Sequence, residues 1–313
     1  MTERGAEKRE RASNESMSAV IDPRAEQALD RIKAALSRRK GDEAVRFYED
    51  ACAHGLIPVD ESALAWLHRT LGKDWTDKLI SAYAGLPCFY CNKGAIRCEE
   101  CKGRGYDEDR TLCAKCLALG IDRCDFCGGS GRFTINHVPQ AFQLPMMIRR
   151  IVAARKEADA LLDVDVPAIS DSEPGRTRKQ AAKNLLQVNR LMGVLENMAV
   201  AARQLESRHA SERDTIRKAL AACEAVAPKL RKRTFQLLGV LARASKLELG
   251  TATRTESRRL ADRRAEFYGR LAASKNLDSA FLRRPFLFSD ETAAAVPAEQ
   301  PESPEPPSTP TAA

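Results

Sequence analysis

The chain has 313 residues, 43% hydrophobic, 5% aromatic and 30% charged, with a net charge of +8; residues 138–290 alone carry +12, with 29 Lys/Arg against 17 Asp/Glu. Few aromatics beside much Ala, Leu, Arg and Glu point to two or three modules of packed helices rather than one large core. No run approaches the roughly 18 apolar residues of a membrane span, and the polar N-terminus has no apolar signal region, so a cytoplasmic protein with no membrane partner is expected.

Residues 1–20 are polar and aperiodic and read as disordered. Residues 21–87 read as a helical domain. Asp22-Pro23 makes an N-cap and first turn. Ala25, Leu29, Ile32 and Leu36 form one apolar stripe to about Arg39. Gly41 is expected to end that helix, and Asp42 to cap the next, whose inner face is Ala44, Phe47, Tyr48 and Ala51. His54 to Pro58 is a stop. A third helix is expected near Asp60–Leu71, with Leu64 and Leu67 inward, and a fourth near Trp75–Ala84. Arg31–Pro58 resembles one pentatricopeptide-type repeat, but no second copy is visible, and a solenoid needs about three. The stretch therefore reads as a helical hairpin, with Trp66 and Trp75 in the core and Cys52 a buried small hydrophobe.

The next stretch carries the chemistry. Cys88/Cys91, Cys98/Cys101, Cys113/Cys116 and Cys124/Cys127 are four Cys-x-x-Cys pairs within 88–131. Two thiolates spaced this way reach one metal from a single turn, and two turns complete a tetrahedral site with Zn–S of about 2.3 Å. Eight thiolates thus give two closed sites and two Zn²⁺ per chain. Cys98-Glu-Glu-Cys101-Lys-Gly103-Arg-Gly105 and Cys124-Asp-Phe-Cys127-Gly-Gly129-Ser-Gly131 both fit Cys-x-x-Cys-x-Gly-x-Gly. Glycines there let backbone N–H groups turn toward the sulfurs. The first repeat keeps only Gly94 and the third only the late Gly120, so these two look degraded. A thioredoxin-type motif is single and lies in a βαβ unit, which does not fit. A disulfide framework belongs to an oxidising compartment, and paired knuckles with glycine suit zinc better than an iron–sulfur cluster.

These repeats resemble the cysteine-rich zinc domain of the DnaJ co-chaperones over about residues 88–136. The resemblance implies an elongated pair of β-hairpins that assists binding of non-native polypeptides. It also implies one zinc on Cys88, Cys91, Cys124 and Cys127, and the other on Cys98, Cys101, Cys113 and Cys116. The chain has no His-Pro-Asp tripeptide and no Gly/Phe-rich segment, so the likeness is to the zinc module alone. Within it, Gly105–Asp109 reads as a hairpin tip and Arg132–Ile135 as a β-like run. His137 reads as a surface residue, because the cysteines already complete both sites.

Residues 137–290 read as a helical, coiled-coil domain. An amphipathic helix over 140–163 holds Met146, Ile148, Ile151 and Val152, and Val164–Arg176 reads as a linker. Val188, Leu191, Leu195, Met198, Ala202 and Leu205 alternate spacings of three and four. Ile216, Leu220, Cys223, Ala227 and Leu230 repeat the seam. Glu206–Asp214 is either the turn of an antiparallel hairpin or a stutter in one rod. Pro228 should kink or restart the second helix. Thr251 or Thr253 can cap a last basic helix to about Lys275, followed by an apolar patch at Phe281 and Phe286–Phe288. The tail 291–313 reads as disordered.

The expected fold class is mainly α, with helical regions flanking a small β-hairpin zinc module. No phosphate-cradling loop, nucleophile elbow or His/carboxylate cluster marks an enzyme. The resemblance implies a zinc-binding, chaperone-like protein with polypeptide clients, and the long seam could form a homo-oligomer. The alternative is a nucleic-acid-associated protein that holds phosphates through Arg231-Lys-Arg233, Arg258-Arg259 and Arg263-Arg264. Those runs also read as a solvated helix face.

Overall fold

The computed structural model describes residues 22–60 and 62–274; the disorder expected for 1–20 and 291–313 and the patch from Phe281 lie outside them. Among the described residues there are eight α-helices and one two-stranded antiparallel ladder, so the chain is mainly α.

Helix α1 (Pro23–Ser37) starts as its sequence dictates. The Asp22 carboxylate accepts from the Arg24 N–H at 2.8 Å, and Pro23 opens the first turn, which satisfies one of the N–H groups a helix start leaves without a partner. Ala25, Leu29, Ile32 and Ala35 are buried, while Leu36 is half-buried. Gly41 is not a stop. Arg39 makes the turn at φ +59°, and α2 (Gly41–Ala53) begins at Gly41, whose missing side chain lets Ala82 approach. Asp42 does not cap; it sits with Glu43 in the first turn, where the helix dipole favours a carboxylate. Gly55, at φ +69°, turns the chain out of α2. Helices α3 (Ala63–Thr70) and α4 (Lys73–Gly85) follow, with Leu67, Leu79, Ile80 and Tyr83 buried. Trp66, Trp75 and Cys52 are only half-buried.

Helix α5 (Gln140–Asp163) joins the two helical regions. Its Phe142 packs on Tyr48 and Tyr83, with ring centroids 5.2 and 5.5 Å away, within the range of favourable aromatic contact. Met146, Met147 and Ile151 are buried; Val152 points to solvent. The expected linker is shorter than its sequence implies, because α6 (Pro174–Arg208) already starts at Pro174, a residue suited to a first turn.

Helices α6 and α7 (Arg213–Thr251) form an antiparallel hairpin. Ion pairs Arg217–Glu206 (2.7 Å) and Arg178–Glu248 (2.9 Å) mark its two ends, which excludes the single rod. All six seam residues of α6 are buried, as are Ile216, Cys223, Ala227, Leu230, Thr234, Leu237 and Leu241 of α7; Leu220 is half-buried. Helix α7 does not restart at Pro228. That residue is exposed, so its missing N–H and its ring fall on the solvent side. Nor do Thr251 and Thr253 cap α8 (Thr255–Ala273): Thr251 Oγ1 donates back to the carbonyls of Leu247 and Glu248, and Arg254 takes the cap position. No helix among the described residues is long and apolar enough to cross a membrane.

Candidate metal centre

Strands β1 (Ala95–Arg97) and β2 (Ile121–Arg123) pair antiparallel, with Ile96 opposite Asp122. One end of this ladder leads into Cys98 and out of Gly120; the other leads back to Gly94 and on to Cys124. The eight cysteines therefore gather in two groups, one at each end. Cys88, Cys91, Cys124 and Cys127 form site one, and Cys98, Cys101, Cys113 and Cys116 form site two. Within each group all sulfurs lie within 4.8 Å of one another. Cys91–Cys127 are 3.6 Å apart, Cys98–Cys113 3.8 Å and Cys101–Cys116 3.7 Å. A tetrahedron with Zn–S of about 2.3 Å has an S···S edge of about 3.8 Å, so the donor set fits a four-thiolate metal site. All ten cysteines of the chain are free thiols.

The glycines do what their spacing implies, and in all four repeats. Gly94 N–H donates to Cys91 Sγ at 3.3 Å, Gly105 to Cys101 at 3.2 Å, Gly120 to Cys116 at 3.2 Å and Gly131 to Cys127 at 3.3 Å. The first and third repeats, short of the second glycine as expected, each keep one that donates. Each site also has a local two-fold relation. Cys88 N–H donates to the Gly131 carbonyl and Cys124 to that of Gly94; Cys98 donates to Gly120 and Cys113 to Gly105. Each knuckle thus pins the backbone of its mate. In the third repeat Leu117 and Ala118 take φ of +52° and +59°. That left-handed conformation costs an L-residue about 1–2 kcal/mol.

The expected hairpin tip lies at Asp107–Thr111, beyond the Tyr106–Leu112 bridge. The expected β-like run after Gly131 is reduced to one bridge, Pro87–Arg132, because the chain turns into a short 3₁₀ helix at Ile135–His137. His137 is exposed and bonds Thr134, as a surface residue would.

Nothing in the sequence signalled how the module is braced. Gly193 of α6 lies so close to Gly128 that an added Cβ would sit 2.4 Å from the Gly128 carbonyl oxygen. Arg123 of β2 forms a buried ion pair with Glu196 of α6 at 2.8 Å. On the far side Tyr268 of α8 donates its hydroxyl to the Leu117 carbonyl at 3.0 Å, and Arg263 donates to that of Arg110 at 2.9 Å. Helix α6 thus braces site one and helix α8 site two. Beside site one, burial and the neighbouring Arg132 charge push the Arg150 guanidinium down to about 10.

Four thiols in one place cannot all ionise without a cation. Burial pushes Cys91 and Cys116 well above the usual thiol range and Cys113 up to about 11. Cys101 and Cys127 are held below it against their burial, by the N–H groups of Gly105 and Gly131 and by neighbouring thiols. A divalent metal that displaces the protons would relieve this crowding. The grouping makes a direct prediction. Cys124→Ser should expose Cys88 and Cys91 to thiol reagents and leave Cys98 protected; Cys113→Ser should do the reverse. Mass-spectrometric mapping of alkylation checks it, and a reactive Cys98 in Cys124→Ser would contradict the grouping.

No protein-family model matches the chain, and neither a curated protein nor a solved structure matches it.

Proposed function

We propose that the chain is a zinc-binding, chaperone-like protein in which two structural Zn²⁺ ions fix a DnaJ-type module that presents aromatic side chains to polypeptide partners. One observation supports this most. The residues between the first cysteine pair, Phe89 and Tyr90, are 76% and 67% exposed. They continue into an unbroken run of rings: Tyr90 on Phe126, Phe126 on His137, His137 on Phe133 and Phe133 on Phe89, with centroids 4.4–5.8 Å apart. Large rings left in water on a backbone fixed by metal offer contact area at little entropic penalty. The reading is of binding rather than catalysis, because four cysteines close the coordination sphere and leave no position for water or substrate. Thiolate ligands also suit the reducing cytoplasm.

The alternative places phosphates on the basic helices. Part of that charge is turned inward. Arg233 donates to the carbonyls of Leu162 and Val164 at 2.6 and 2.7 Å, and Arg264 is half-buried with its charge disfavoured by burial. The seam proposed for self-association is likewise used within the hairpin.

Suppression of aggregation of an unfolded model protein tests the proposal. Suppression should be insensitive to salt and should fall severalfold in Phe89→Ser/Tyr90→Ser, whose exposed positions leave the fold and metal content intact. Equal suppression by wild type and variant would exclude the ring surface as the binding element. Absent suppression, with nucleic-acid binding that weakens steeply with salt, would install the alternative.

A further inference from the structure

A second feature beside site one is independent of the ring surface. A cavity of about 880 Å³ opens between α4, the first and fourth knuckles, α5 and α6. That volume lies in the range of small-molecule sites. Its lining holds five cations, Lys93, Arg132, Arg149, Arg150 and Arg190, against one carboxylate, Glu157. Two of the five are already matched: Arg190 by Glu157 and Arg149 by Asp77. Three are not. Arg132 donates to the Gly85 carbonyl at 2.5 Å, a neutral acceptor that leaves its charge uncompensated. Lys93 makes no ion pair among the described residues. Arg150 lines both this cavity and the one beside Phe126 and His137; its Nε and Nη2 are buried without an acceptor, which leaves Nη1 as the nitrogen that a ligand can reach. A guanidinium so short of acceptors is costly to bury, and an anion at its accessible edge would offset that cost.

One anion is at hand already. A zinc ion with four thiolates carries a formal charge of minus two, and Cys88 and Cys91 line the same cavity. That charge offsets part of the surplus but not all of it. Ala84, Pro87, Ala154 and Val194 form the apolar part of the cavity wall. The three uncompensated groups come from three separate segments: the first knuckle, the fourth knuckle and α5. A tetrahedral phosphate, with three outward oxygens, accepts from three directions, whereas a planar carboxylate does so less well.

We propose that this cavity binds a small phosphate-bearing ligand of nucleotide size, its phosphate held by Lys93, Arg132 and Arg150 and its organic part lying on the apolar wall. Titration calorimetry on the full zinc-loaded chain tests this, with ADP as the probe, inorganic phosphate as competitor and adenosine as the neutral control. ADP should bind, phosphate should displace it, and adenosine should give no heat. Arg150→Gln should weaken ADP binding at least tenfold with two zincs per chain retained. Ala153→Glu, at an exposed position of α5 in the cavity lining, should do the same by adding a carboxylate among the arginines. No ADP binding by the wild type would overturn the proposal. So would ADP binding unchanged in Ala153→Glu while Arg150→Gln loses zinc, since the arginine would then serve only the tetrathiolate. Binding of a single-stranded oligonucleotide in place of ADP would overturn it too.

Discussion

Stripping the metal with a chelator at neutral pH is expected to release two zinc ions per chain and unfold residues 88–131, while the helices stay folded. The interiors of the two sites consist of the cysteines themselves, joined at site one only by Ile96 and Phe126. So small an apolar core cannot hold a segment of this length by itself. Structural zinc supplies on the order of 10–16 kcal/mol in zinc-finger peptides, more than the module's packing can replace. The helices have their own supports. Phe142 seats α5 on Tyr48 and Tyr83, and the α6–α7 seam is buried along its length. Far-UV circular dichroism should therefore keep most of its helical signal, and limited proteolysis should open new cleavage sites within 88–131. Loss of helix in step with zinc release would instead make the module the keystone of the fold. The pH dependence follows from the thiols. Burial raises Cys91, Cys113 and Cys116, so any metal-free fraction that stays closed loses further stability as pH rises through their elevated values. With metal the sign reverses: protons compete with zinc for the thiolates, so release should increase as pH falls.

The helices were legible because their signals are local and repeated. The three-and-four spacing from Val188 to Leu205 named six residues, and all six are buried. What such spacing leaves open is equally physical. Apolar spacing alone does not distinguish a hairpin from a rod, since both bury the same face; the answer lies in ion pairs such as Arg178–Glu248, between residues distant in sequence. Cap residues were misplaced at Asp42 and Thr251 because a side-chain oxygen near a helix end can also bond backward or face the dipole. The cysteine groups were written in the pair spacing, but the pairing of pairs came from the family resemblance. What the sequence left out is the setting: Gly193 against Gly128, Glu196 against Arg123 and Tyr268 on Leu117 each depend on α6 or α8 folding back across the module. The ring run was half visible in Cys88-Phe-Tyr-Cys91, but its continuation through Phe126 and His137 needs the tertiary fold.

Replacing a donating glycine with alanine is expected to empty one metal site and leave the other filled. Gly94 sits at φ +90°, and an added Cβ would lie 2.0 Å from the Gly129 carbonyl oxygen. Gly120 sits at φ +73°, with the Gly103 carbonyl oxygen 2.4 Å from its virtual Cβ. In both cases the obstacle is the backbone of the mated knuckle, which cannot rotate away as a side chain can. Relief by moving that backbone would break the cross-knuckle bonds, Cys124 N–H to Gly94 and Cys98 N–H to Gly120, and draw the glycine N–H away from its sulfur. The left-handed conformation alone adds about 1–2 kcal/mol for an L-residue, so a total above about 3 kcal/mol is expected at either position. Gly94→Ala should lower zinc from two to one per chain and make Cys88, Cys91, Cys124 and Cys127 reactive. Gly120→Ala should spare those four and expose the other set. Gly239, within α7, has nothing within 4 Å of its virtual Cβ and no positive φ. Gly239→Ala should therefore raise stability by about 0.5–1 kcal/mol. Metal analysis with alkylation mapping reads the two knuckle variants, and denaturant unfolding reads the third. Two zincs and full thiol protection in Gly94→Ala would mean that the knuckles tolerate a shift that their paired backbones forbid, and the two-fold bracing of the sites would have to be abandoned.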